Sequence, residues 1–198
     1  SGTDPDSFEI VNDQLKLLNS LSANHEVQSS YSLTVTTTDA AETSFNQVLT
    51  ITVIDTNDSP VITSAVTFSA NENQIGVDTV TATDEDGDVL TYTLSGTDEA
   101  SISINSTSGA ITFNSAPNYE VKNSYTVTAA ANDGLFSASQ PINITILDVN
   151  DYPVMTSAAS FSANENQIGV GTVTASDEDG NTLTYSLSGT DAAYLSVD

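Results

Sequence analysis

The sequence predicts an all-β chain built as tandem seven-stranded Greek-key β-sandwiches. One complete central domain is flanked by two half-domains. Three observations lead there. The chain repeats itself: Phe68-Ser-Ala-Asn-Glu-Asn-Gln-Ile-Gly76 returns as Phe161 to Gly169, Asp84-Glu-Asp-Gly87 as Asp177 to Gly180, and Asp55-Thr-Asn-Asp58 as Asp148-Val-Asn-Asp151, each at an offset of 93. Self-similarity at a fixed period marks an array of one structural unit. The segments between these motifs alternate apolar and polar residues with period two, the strand signature. Asn-, Asp- and Gly-rich turns then separate the runs at roughly 8–12-residue intervals, as in a sandwich.

The elements follow in order. Residues 1–58 read as the second half of a unit, because Ser1-Gly-Thr-Asp4 aligns with Ser95 to Asp98 and with Ser188 to Asp191. Its strands include Tyr31-Ser-Leu-Thr-Val35 and Val48-Leu-Thr-Ile-Thr-Val53. Residues 59–151 form the full repeat, with strands predicted at 61–70, 77–83, 89–95, 100–105, 110–114, 123–132 and 137–147. Turns are expected at Glu72 to Gly76, Asp84 to Asp88, Ser106 to Gly109 and Asn132 to Gly134. The inward set comprises Val80, Tyr92, Leu94, Ile102, Ile104, Ile111, Phe113, Tyr125, Val127, Ile144 and Ile146. Thr takes many outward positions, where a β-branched polar residue suits a solvated face. Residues 152–198 supply the first half of a further unit, about three strands and the start of a fourth. Neither half closes a sandwich alone, and an open half exposes sheet edges and core. The two halves add up to one repeat, so the carboxyl half of one molecule is expected to complete the amino half of another, head to tail. Because Ser1 falls in mid-repeat, the chain reads as a fragment of a longer protein.

Composition narrows the functional classes. There are 27 acidic residues against two bases, Lys16 and Lys122, for a net charge of −25. Such a chain repels nucleic acid and anionic membrane surfaces, and it repels itself unless cations bind. The absence of cysteine excludes a disulfide framework and thiolate metal sites. No apolar run approaches the roughly 18 residues of a membrane span.

The acidic residues fall at strand ends. Glu72, Asp84, Asp86, Glu120, Asp133, Asp148 and Asp151 all flank predicted strands. In a sandwich, alternate strand ends lie at opposite poles. The carboxylates at the lower pole of one unit therefore meet those at the upper pole of the next. Gathering that much charge is unfavourable without cations among it. Ca²⁺ takes six to eight oxygens in a flexible shell, whereas Mg²⁺ demands a tight octahedron and keeps its water.

The motifs together resemble a bacterial cadherin-like repeat of the calcium-dependent cadherin superfamily, with a cadherin/immunoglobulin-like sandwich. The elements are Ala70-Asn-Glu72-Asn, Asp84-Glu-Asp86, Asn118-Tyr-Glu120, Ala131-Asn-Asp133-Gly and Asp148-Val-Asn-Asp151. Phe8-Glu-Ile10 and Ile102-Ser-Ile104 match the family's mid-domain hairpin. By position, the resemblance implies that Glu26, Asp55, Asn57, Asp58, Asp84, Asp86 and Asp133 hold calcium at junction one. At junction two it implies Glu72, Glu120, Asp148, Asn150, Asp151, Asp177 and Asp179. Thr56, Ser59, Val149 and Tyr152 would offer main-chain oxygens. If the flanks complement each other, Glu165 and Asp39 would supply the ligands otherwise missing at junctions one and two. The family usually has Asp where this chain has Asn24 and Asn118, so the outermost of its calcium positions is expected to be weak or empty.

The resemblance implies an adhesion or spacer module, bacterial and extracellular or membrane-associated, with Ca²⁺ stiffening the array and homophilic or cell-surface contacts as partners. A calcium-dependent carbohydrate-binding module attached to a secreted enzyme is the alternative, with Tyr119, Tyr152 and Tyr194 as stacking rings. The lack of Trp weighs against a flat sugar platform. Catalysis is not expected: the close carboxylates serve as ligands, and no nucleophile–base–orienter set is visible. His25, next to Glu26, reads as an exposed neighbour.

Overall fold

Alternation of apolar and polar residues marks the longer ladders among the described residues. The computed structural model describes residues 4–18 and 21–197; Ser1 to Thr3, part of the Ser-Gly-Thr-Asp alignment, lie outside them. The amino flank starts with a hairpin of β1 (Phe8–Val11) and β2 (Gln14–Leu17). Its two-residue turn, Asn12-Asp13, has φ of 49° and 62°, a left-handed pair that Asn and Asp tolerate. A longer antiparallel ladder follows, β3 (Ser30–Thr38) with β4 (Ser44–Thr52). Phe8 meets Tyr31 edge-on, with ring centroids 5.2 Å apart.

The central unit holds β5 (Val61–Ile62), β6 (Thr67–Asn71), β7 (Gly76–Thr79), β8 (Ala82–Thr83) and β9 (Thr91–Ser95). It continues through β10 (Ile102–Ile104), β11 (Ala110–Phe113), β12 (Ser124–Asn132) and β13 (Ser137–Leu147). One sheet runs β6-β13-β12-β9, with β6 parallel to β13; the facing sheet runs β10-β11-β7, and β5 pairs with β8. All eleven predicted inward residues lie in the core or pack against it, joined by Phe68, Ala70, Ala129, Ala131 and Ile142. Gly109 shows how closely the chain beside β11 passes the end of β7: at φ +73°, a β-carbon there would lie 2.1 Å from the Val80 carbonyl oxygen.

The central unit is the predicted sandwich, but its strand count is not the predicted seven. The segments expected as single strands at 61–70 and 77–83 are each divided. β5 pairs with β8, whereas β6 crosses to β13 and β7 to β11. Edge segments of a sandwich change partner sheets through such breaks. Gln140 secures the first crossing by donating to the Ser64 and Ala65 carbonyls at 3.1 and 3.2 Å.

In the carboxyl flank, β14 (Val154–Met155) and β15 (Ala175–Ser176) reproduce the β5–β8 pair. The segments equivalent to β6, β7 and β9 are not strands here, which falls short of the expected three strands. No helix of the described residues is long and apolar enough to cross a membrane.

Candidate metal centre

Each linker repeats one local geometry. At junction one the Asp58 N–H donates to Asp86 Oδ2 at 2.7 Å; at junction two the Asp151 N–H donates to Asp179 Oδ2 at 2.7 Å. Asn57 and Asn150 each fold back on the next residue, their amides donating to the carbonyls of Asp58 and Asp151 at 2.7 and 2.8 Å. The Asp-Glu-Asp turns are shaped by their first carboxylate. Asp84 Oδ1 accepts from the Asp86 N–H, and Asp177 Oδ1 accepts from the Asn181 N–H, both at 3.1 Å.

The carboxylates then converge. Glu26, Asp58 and Glu85 bring oxygens within 4.8 Å of one another, and so do the equivalent Glu120, Asp151 and Glu178. Asp84, Asp86 and Asp88 form a further group, as do Glu72, Glu120 and Asp148. Asp133 joins junction one through Asn57, whose amide donates to its Oδ2 at 2.9 Å. Its Oδ1 closes the β12–β13 turn by accepting from the Leu135 and Phe136 N–H groups.

Glu72 is the most buried acid among the described residues, with 2% of its surface exposed. It is held by two backbone donors, Tyr119 N–H and Val149 N–H, each at 2.8 Å. Two buried carboxylate oxygens, Asp84 Oδ2 and Asp151 Oδ2, have no hydrogen-bond partner. A buried acceptor without a donor is uncommon and unfavourable.

The electrostatics carry the strain of this crowding. Burial pushes the Asp55, Asp58 and Asp148 carboxyls up, and neighbouring carboxylates push them further. Glu120 is also raised, even though its backbone N–H acts to lower it; burial and the charges of Glu72, Asp148 and Asp179 prevail. Asp133 is lowered: burial opposes this, but the Phe136 N–H, the Asn57 amide and the Leu135 N–H outweigh it.

Of the sequence-predicted carboxylates, Asp39, Asp133, Glu165, Asp177 and Asp179 join no such group among the described residues; Asp133 and Asp179 reach the linkers through their hydrogen bonds from Asn57 and the Asp151 N–H. Asp39 closes its own hairpin, accepting from the Ala41 and Thr43 N–H groups at 2.8 and 2.9 Å. His25 is not simply an exposed neighbour: its Nδ1 lies 3.1 Å from Glu26 and 3.6 Å from Asp55. Glu85 and Glu178 escaped the sequence reading. Their partners are the two asparagines: Asn24 donates to Glu85 at 3.1 Å and Asn118 to Glu178 at 2.6 Å. Each asparagine oxygen meanwhile caps a backbone N–H, of Val27 or Val121. A nitrogen rather than an oxygen therefore faces the cluster. The Glu between the two Asp residues, present in both turns, was the available signal. Of the candidate stacking rings, Tyr119 packs against the core while Tyr152 and Tyr194 are exposed.

Two facing sheets, paired linkers and acidic turns at the strand ends define a tandem β-sandwich repeat. Residues 57–145 match the family described as Bacterial Ig domain. Among solved structures, the chain is similar to mouse cadherin-23 EC22-24, with 24% identity, a TM-score of 0.57, and coverage of 75% of this chain and 52% of that one. It is also similar to human CDH23 EC21-23, with 23% identity, a TM-score of 0.63, and coverage of 87% and 62%. Protocadherin gamma B2 extracellular cadherin domains 3-6 match at 20% identity, with a TM-score of 0.61 and coverage of 89% and 50%. The chain thus spans about half the length of the cadherin structures it matches. No curated protein matches it significantly. These similarities show a β-sandwich fold shared with bacterial immunoglobulin-like and cadherin repeats.

Proposed function

We propose that this chain is a calcium-binding spacer and adhesion segment of a larger bacterial surface or secreted protein. Its units are residues 1–58, 59–151 and 152–198, and Ca²⁺ at the two junctions stiffens the array. One observation carries the reading: both junctions repeat the same oxygen-rich arrangement, and each contains a buried carboxylate oxygen without a donor, Asp84 Oδ2 at one and Asp151 Oδ2 at the other. An oxygen-only donor set of carboxylates, amides and carbonyls fits a hard cation.

At junction one Glu26, Asp55, Asn57, Asp58, Asp84, Asp86 and Asp133 would hold the ion. At junction two Glu72, Glu120, Asp148, Asn150, Asp151, Asp177 and Asp179 would do so. The ion supplies positive charge that offsets the carboxylate repulsion and ties both units to one linker. Glu85 and Glu178 add charge beside Asn24 and Asn118, whose amide nitrogens face inward and offer no oxygen. The outermost position therefore binds weakly. No catalytic role is assigned.

Small-angle scattering in millimolar Ca²⁺ and then in excess chelator tests this reading. Chelation should turn a stiff particle into a flexible one, and Asp86→Ala should loosen junction one while leaving the central sandwich folded. A shape indifferent to calcium in both proteins would discard the metal reading and leave carbohydrate binding, assayed by pull-down on insoluble polysaccharides, as the better lead.

A further inference from the structure

Each linker is spanned by a hydrogen bond that bypasses it. Asn24, between β2 and β3, donates its amide to Glu85 Oε2 at 3.1 Å, on the far side of the first linker. Asn118, between β11 and β12, donates to Glu178 Oε2 at 2.6 Å, on the far side of the second. The bonds made by Asn57, Asp58 and Asp151 instead tie the linker itself to the unit that follows.

A local turn decides which end of each amide points across the linker. The Asn24 oxygen accepts from the Val27 N–H at 2.7 Å, and the Asn118 oxygen accepts from the Val121 N–H at 2.8 Å. Backbone bonds close the same turns: the Gln28 N–H donates to the Asn24 carbonyl and the Lys122 N–H to the Asn118 carbonyl, both at 3.0 Å. Only the oxygen of an amide can accept from an N–H, so the turn holds that oxygen and leaves the NH₂ group facing outward.

What it faces is acidic. Glu85 lies with Glu26 and Asp58, and Glu178 with Glu120 and Asp151, their oxygens within 4.8 Å of one another. Neither lysine serves these groups: Lys122 pairs with Asp98, and Lys16 lies on β2 opposite Glu9. An amide NH₂ carries two donor hydrogens and partial positive charge, and a hydrogen bond to a carboxylate is stronger than one between neutral groups.

We propose that Asn24–Glu85 and Asn118–Glu178 are metal-independent latches, one at each junction, that hold successive units together when no cation is bound. A cation entering either outer group must displace an N–H donor, so the amide takes that position in place of an ion. Removing cations frees the other junction carboxylates to repel, but it leaves the latch closed, and the junction hinges about it instead of opening fully. The latch stands independently of the metal; its role as the contact that survives loss of the ion rests on the calcium reading.

The test exploits the lack of native cysteine. Spin labels at Thr50→Cys and Thr145→Cys, both exposed positions, report the distance distribution across junction one by pulsed electron resonance. In chelator, Glu85→Ala should at least double the width of that distribution. Asn24→Asp should do the same, because its carboxylate still accepts from the Val27 N–H but has no hydrogen to donate. Glu85→Gln should keep the native width, since its amide oxygen still accepts from Asn24. Glu85 is exposed, so the melt of the central unit should not move. A native width left unchanged by both Glu85→Ala and Asn24→Asp would overturn the latch. A Glu85→Gln width as broad as that of Glu85→Ala would also overturn it, by showing that charge and not the hydrogen bond matters. If native widths are equal in Ca²⁺ and in chelator while Glu85→Ala still broadens them, the metal reading fails and the latch stands.

Discussion

Phe68 to Gly76 and Phe161 to Gly169 have the same nine residues and different structures. The first contains β6, paired with β13, and its Phe68 is 7% exposed. The second contains no strand, and Phe161 is 44% exposed. Tyr92 and Tyr185 repeat the contrast at 8% and 37%. Intrinsic propensity is identical, so it cannot explain the difference. The partner strand does: a β-strand is stabilised by cross-strand neighbours and burial rather than by its own backbone preference.

The sharpest way to break that comparison is paired substitution. Phe68→Ala should destabilise the central unit by about 3–5 kcal/mol, the usual range for removing a buried aromatic ring. Phe161→Ala should leave the thermal transition of a dilute, uncomplemented chain nearly unchanged. Equal losses would mean the carboxyl flank is packed as fully as the central unit. A smaller contrast separates the glutamates. Glu72→Ala strands the Tyr119 and Val149 N–H groups, and should cost about 2–4 kcal/mol by denaturant melt in chelator. Glu165→Ala, at an exposed position, should cost almost nothing there.

These pairs also mark what was legible in the sequence. Period-two alternation identified the inward residues because each occupies a face defined locally. The division of the second predicted strand left a trace: Val77 and Val80 are both apolar at odd spacing, so the alternation slips where β7 ends and the chain crosses to β8. Alternation alone does not say which strand a segment pairs with. For that reason the carboxyl flank looked as strand-rich as the central unit. Ala129 and Ala131 were missed because small side chains give little hydrophobic signal, yet both are fully buried. At the junctions, the linker and turn carboxylates stood out by repetition. The inward amide nitrogens of Asn24 and Asn118 did not, because residue type does not fix which end of an amide faces the cluster.

The gentlest contrast is between carboxylates held by a cation and carboxylates held against one another, and pH reads it. Asp98 is lowered by Lys122, which donates to it, and by the Thr126 N–H. Lys122 also sits over the Tyr125 ring, 4.5 Å from its centroid. Lowered in the folded state, Asp98 contributes stability above the ordinary carboxylate range and loses it as pH falls from that range through its own lowered value. Asp55, Asp58, Glu120 and Asp148 are raised, so the opposite sign holds. In chelator, mild acid protonates them first in the folded state and relieves their repulsion as pH falls from neutral toward the carboxylate range. Stability in chelator should therefore rise slightly on first acidification and then fall as Asp98 and Asp133 are titrated. Asp98→Asn should lower the plateau by about 1–2 kcal/mol and flatten the later fall. Asp191→Asn, at the equivalent exposed position, should leave both limbs in place. With saturating Ca²⁺ the early rise should vanish, because protons then compete with the ion for the same oxygens. A melting temperature that declines monotonically from neutral pH in chelator would mean that the junction carboxylates are too well solvated to repel, and would remove the electrostatic reason for a cation there.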